Sequence, residues 1–219
     1  MLELFVALVA VSFVVVIIVI LVFRRAIMKS KIWLWAILLL TEFAFSILAV
    51  VIATVADFPP ERSINMVANL NLIFFMIAGI MLFSKHYKVI SSLLWTVFLI
   101  FIAIWIVEFF SEVVKTQSLY VPRLAYASMY KNIVFVIGAS VYIFTTFKSG
   151  TVLGPPKPFF LLCLGWYIYF LTESATMLVD WEIVQNSTIL PVWASLCELI
   201  ANTFYALAFI RTKTETNWE

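Results

Sequence analysis

Apolar residues run along this chain in long uninterrupted stretches, divided by short clusters of polar and turn-forming residues. A bilayer-spanning helix needs about 20 mostly apolar residues. Seven stretches meet that length, some only with their polar flanks: 4–23, 32–56, 66–83, 89–114, 122–147, 158–179 and 190–210. The pattern predicts an all-α, polytopic membrane protein, a single seven-transmembrane-helix bundle over residues 1–219. The divisions carry suitable punctuation. Asp57-Phe58-Pro59-Pro60 ends the second stretch, because proline cannot continue a helix and restricts the residue before it. Ser149-Gly150 and Gly154-Pro155-Pro156 separate the fifth from the sixth. Pro122 and Pro191 stand near helix starts, where a missing N–H leaves nothing unbonded. Every connection is short, and no internal repeat is visible.

The basic residues fix an expected orientation. Of 14 Lys and Arg, ten lie on one set of alternate loops: Arg24, Arg25, Lys29, Lys31, Lys85, Lys88, Lys148, Lys157, Arg211 and Lys213. The other set, with its helix ends, holds Arg62, Lys115, Arg123 and Lys131. Lys and Arg accumulate on cytoplasmic loops, so the N-terminus is expected outside and the C-terminus in the cytoplasm. Glu3 precedes the first apolar run with no basic residue beside it, unlike a cleaved signal peptide. The first helix is therefore expected to be an uncleaved anchor in a cytoplasmic (inner) membrane. Asn186-Ser187-Thr188 is a glycosylation sequon on the outer side, of use only in a host that glycosylates.

Composition agrees with this picture and narrows the function classes. Hydrophobic residues make up 65% of the chain and charged ones 12%, whereas a soluble domain is about half apolar and a quarter charged. Lipid is the solvent such a surface requires. A net charge of +2 is no nucleic-acid footprint. Cys163 and Cys197 are too few for a disulfide framework and fall at different depths, so no bond between them is expected. A retinal protein needs a lysine in its last helix, and 190–210 has none. His86, the only histidine, sits in a short basic loop and is read as solvated; haem or zinc sites gather several ligands. Neither H-E-x-x-H nor G-x-S-x-G occurs, nor a Walker A loop. No metal, no cofactor and no catalytic residue is expected.

What remains is a set of polar side chains inside the apolar stretches, each costly there and so a functional candidate. Glu42, Glu108, Glu173 and Glu198 occupy the second, fourth, sixth and seventh stretches. Lys131 is the only basic residue well inside one, and Asn69, Asn71, Asn132 and Asn202 add amides. At a rise of about 1.5 Å per residue, Glu198 lies roughly 12 Å and Lys131 roughly 13 Å from the outer helix end. Glu108 and Glu173 lie roughly 9 Å in, and Glu42 alone is near mid-membrane. A common layer predicts one polar cavity in the outer half of the bilayer. Helical spacing places Glu198, Asn202 and Tyr205 on one stripe, and Trp166, Tyr169 and Glu173 on another. Aromatics beside carboxylates suit a cationic or amphipathic ligand. Carboxylates lacking a counter-ion in low dielectric take up protons.

A plainer reading competes: Asn, Glu and Lys bind one another and hold helices together. Lys131 with Glu108 or Glu173 would then be a structural ion pair. Trp33, Trp35, Trp181 and Trp193, near helix ends, fit interfacial anchors.

Gly165-Trp166-Tyr167-Ile168-Tyr169-Phe170 and Asn202-Thr203-Phe204-Tyr205-Ala206-Leu207-Ala208-Phe209, followed by Arg211 and Lys213, resemble the seven-transmembrane sensor region of histidine kinases and small seven-helix bacterial membrane proteins. In such kinases a similar last helix leads into cytoplasmic signalling domains. These 219 residues contain none, so the resemblance implies a stand-alone sensory or accessory subunit. The expected function is a non-enzymatic sensor that binds a small ligand, lipid or proton. Its expected partners are the lipid bilayer and a membrane or cytoplasmic protein, with a homo-oligomer left open. A proton-coupled transporter using Glu42, an intramembrane lipid-modifying enzyme and a structural subunit of a membrane complex are the alternatives.

Overall fold

The computed structural model describes residues 2–55, 60–86, 91–117, 122–148, 157–178 and 189–215. Among them there is no strand, and the helices are α1 (Leu2–Val22), α2 (Arg24–Lys29), α3 (Trp33–Val55), α4 (Pro60–His86), α5 (Ser91–Thr116), α6 (Ala125–Lys148), α7 (Pro158–Leu178) and α8 (Ile189–Glu215). Asp180, Trp181, the sequon at 186–188 and the turn residues 57–59 and 149–156 lie outside the described residues.

Among the described residues, five stretches are long and apolar enough to cross a membrane: Asn65–Ser84, Ser92–Thr116, Ala125–Lys148, Pro158–Leu178 and Ile189–Lys213. Two shorter apolar stretches, Ala7–Val22 and Trp33–Leu48, lie within α1 and α3. Large apolar side chains such as Val11, Ile18, Leu99, Val107, Val114, Phe144 and Leu171 are exposed along these helices. Contiguous apolar surface on this scale is not tolerated in water, whereas hydrocarbon accepts it and requires the backbone bonds to close within each helix. The protein is a helical membrane protein.

Several helix ends differ from the sequence expectation. α4 begins at Pro60, six residues before the apolar run at 66, because proline is favoured in a first helical turn and the polar turn Glu61–Ser63 needs no apolar cover. α6 begins at Ala125 rather than at Pro122. The basic segment after α1 forms its own six-residue helix, α2, set off by Phe23 at φ −94° and ψ 12°. α5 is closed by the next residue, Gln117, which takes a left-handed φ of 50°, the conformation that commonly closes a helix and that glycine adopts at least cost.

The chain divides into two compact units, Met1–Trp33 with Asn132–Glu219, and Leu34–Lys131. In the first, α8 is the hub, packing along α7 and α1 and touching α2. Small residues permit the approach: a methyl group on Gly165 of α7 would come within 2.5 Å of the Tyr205 ring and 3.2 Å of the Ala201 carbonyl, both on α8. Beside this pair, Trp166 stands edge-on to Phe135 and Phe159, and Phe135 meets Phe170 at 4.5 Å. In the second unit, α4 packs on α5. Trp35 is buried there and meets Phe75 edge-on at 5.3 Å; it is a core residue, not the interfacial anchor its sequence position suggests. Trp193 is exposed, as an anchor would be.

Candidate functional site

The nine candidate residues divide between the units. Glu42, Glu108 and Lys131 fall in the second; Trp166, Tyr169, Glu173, Glu198, Asn202 and Tyr205 fall in the first.

In the second unit the polar groups are arranged around the start of α6. The first turn of any helix leaves N–H groups without helical acceptors. Here the Glu108 carboxylate, reaching from α5, accepts them: Oε1 from the Tyr126 N–H at 2.9 Å and Oε2 from the Ala127 N–H at 2.8 Å. The negative charge also faces the positive end of the α6 dipole. Glu108 therefore acts as a cap borrowed from another helix. Asn69 of α4 completes the arrangement. Its Nδ2 donates to the Pro122 carbonyl and its Oδ1 accepts the Leu124 N–H, both at 3.0 Å. Its own carbonyl accepts the Trp105 indole N–H of α5 at 3.1 Å. One buried asparagine thus ties α4 to α5 through its backbone carbonyl and clamps the chain entering α6 through its side chain. Lys131 is 4% exposed, with its ammonium 5.3 Å from the centre of the Phe75 ring. Six residues into α6, it lies roughly 9 Å along the helix. Glu42 is half-buried on α3.

In the first unit, α7 and α8 bring Glu173 and Glu198 within electrostatic reach of each other. Both are half-buried. One turn along α8, Asn202 is buried and its Nδ2 donates to Ser12 Oγ of α1 at 2.9 Å; that hydroxyl in turn donates to the Val9 carbonyl at 2.7 Å. The stripe Glu198-Asn202-Tyr205 thus runs down the side of α8 that packs on its neighbours, with Tyr205 buried against Gly165. Trp166 is wholly buried within the aromatic cluster of α6 and α7, and Tyr169 meets Phe170 edge-on. Chemically, the cluster offers two carboxylates, an amide and a hydroxyl. Carboxylates that act on each other electrostatically in a poor dielectric favour uptake of a proton or a cation.

No family model, curated protein or solved structure matches the chain. The residues themselves carry the functional argument.

Of two groups, one was seen in the sequence without its role and one was not seen at all. Asn69 was visible as a buried amide, but its clamp rests on backbone atoms more than fifty residues away, which no local pattern reveals. Ser12, a lone hydroxyl in an apolar run, could have been noticed for that reason alone. Among the described residues, no three His, Cys, Asp or Glu side chains gather as metal ligands.

Proposed function

We propose that the chain is a seven-pass protein of a cytoplasmic membrane, N-terminus outside and C-terminus inside, that senses protons or a small cationic ligand at Glu173 and Glu198 and signals through a protein partner. The observation that carries this reading is that two packed helices, α7 and α8, each carry a half-buried carboxylate, Glu173 and Glu198, within electrostatic range of each other in an apolar unit. Like charges there repel, and a proton or cation taken up between them removes the repulsion. Since α8 also holds α1 through Asn202 and Ser12, a change in the α7–α8 spacing reaches α1 as well. A ligand shifts such an equilibrium by its differential affinity for the two packings. The likeness of the last two helices to kinase sensor regions points the same way, toward an output delivered by α8 to a partner on the cytoplasmic face.

The test is infrared difference spectroscopy of the protein in lipid nanodiscs, between alkaline and acidic buffer. The wild type is expected to show a protonated-carboxyl band that Glu173→Gln and Glu198→Gln each diminish. Glu108→Gln is expected to leave it, because that carboxylate is committed to the α6 backbone. A band indifferent to both α7 and α8 variants removes the reading. Proton flux in liposomes that depends on Glu42 would convert the sensor into a transporter.

A further inference from the structure

Where α1 gives way to α2, a cleft of about 550 Å³ opens beside the end of α8, lined by Leu21, Val22, Phe23, Arg24, Arg25 and Lys213 among its residues. All belong to one unit. Its size is within the range of about 300–1,000 Å³ typical of small-molecule sites. Its lining is divided by chemistry. Arg24, Arg25 and Lys213 bring three cationic groups to one opening. Arg24 and Arg25 make no ion pair among the described residues. The other side is apolar and open: Leu21 is 55% and Val22 68% exposed, continuing the bare face of α1 formed by Val14, Ile18 and their neighbours. The break at Phe23 creates the division, since it ends the apolar helix and turns the basic one.

We infer that this cleft holds the phosphate-bearing head group of an anionic phospholipid, with its acyl chains laid along the exposed face of α1. Basic pockets between transmembrane helices are suited to such head groups, and guanidinium groups bind phosphate through paired hydrogen bonds. A soluble phosphate would satisfy the cations but leave the apolar flank unused; a phospholipid uses both. A scattered excess of basic residues, which topology alone explains, would not require a cavity. The inference rests on α1 and α8 spanning a bilayer, not on the carboxylate pair.

The experiment is native mass spectrometry of the purified chain titrated with phosphatidylglycerol, cardiolipin or phosphatidylcholine in mixed micelles. The wild type is expected to retain the anionic lipids at least about tenfold more tightly than phosphatidylcholine, a step worth about 1.4 kcal/mol. The combined variant Arg24→Gln, Arg25→Gln, Lys213→Gln is expected to lose that preference. A charge-matched control, Lys29→Gln, Lys31→Gln, Lys148→Gln, is expected to keep it. Inorganic phosphate is expected not to compete. Equal loss in both triple variants means diffuse surface charge and overturns the site. Competition by inorganic phosphate overturns the lipid assignment in favour of a soluble anion. Should the triple variant not fold, Arg24→Gln and Arg25→Gln singly must each weaken retention, and unchanged retention in both overturns the site.

Discussion

At the scale of single residues, two asparagines two positions apart on α4 make opposite predictions. Asn69 satisfies the Leu124 N–H and the Pro122 carbonyl. Asn69→Leu fills nearly the same volume but orphans both backbone groups, at about 1–3 kcal/mol each. Asn71 is also buried, but its Oδ1 has no partner among the described residues. Replacing such an amide with an apolar group of similar shape is neutral or stabilising by about 1 kcal/mol. Thermal unfolding in detergent is expected to move sharply down for Asn69→Leu and hold or rise for Asn71→Leu. Both residues read alike in the sequence, as amides in an apolar run. What separates them is where the α5–α6 connection passes, and only tertiary structure holds that information. Glu108 teaches the same lesson. Its position inside an apolar stretch marks it as a functional candidate, yet its partners include the N–H groups of Tyr126 and Ala127, which composition and spacing do not disclose.

At the scale of helices, the α7–α8 contact is held close by the absence of one side chain. Gly165→Ala would drive a methyl group into the Tyr205 ring and toward the Ala201 carbonyl. The ring shares its surroundings with packed neighbours and a backbone carbonyl cannot turn aside, so the helices must separate. Overpacking of this kind costs about 1–3 kcal/mol. Since Glu173 and Glu198 ride on the same two helices, the substitution is expected both to lower the unfolding temperature and to weaken the carboxyl band described above. A loss of stability with an unaltered band would separate the carboxylates from the helix contact. Helix existence and approximate extent were legible from apolar run length, because hydrocarbon imposes one length on every crossing segment. Helix ends were less legible. α4 starts at Pro60 inside polar sequence, and α6 waits until Ala125 because Asn69 fixes the chain before it and Glu108 caps its first turn. The stripes on α7 and α8 follow from helical spacing, but spacing could not tell that Trp166 packs on Phe135 and Phe159.

At the scale of the whole molecule, the decisive quantity is the number of crossings, and parity makes it measurable. Among the described residues, five stretches meet the length and apolarity required, while α1 and α3 carry shorter ones. If α3 crosses, Lys29 in α2 lies on the opposite side from Pro60 at the start of α4, and α4, α5 and α6 then return Lys157 to the side of Lys29. If α3 does not cross, the same three helices leave Lys29 and Lys157 on opposite sides. Both lysines are exposed, as is Gln117 at the end of α5. Single-cysteine variants Lys29→Cys, Lys157→Cys and Gln117→Cys, with Cys163 and Cys197 replaced by serine, therefore report on α3 through a membrane-impermeant maleimide. The seven-pass arrangement predicts that Gln117→Cys is labelled on intact cells while Lys29→Cys and Lys157→Cys are labelled only after permeabilisation. A fourth variant, Leu4→Cys, is expected to label from outside and so reports on α1; Leu4 is exposed. Arg24, Arg25, Lys29, Lys31, Lys148 and Lys157 all require this result if the cytoplasmic leaflet is what gathers them. Labelling of Lys29→Cys and Lys157→Cys from opposite sides would leave α3 lying along the membrane and detach the basic cleft at the end of α1 from the cytoplasmic face.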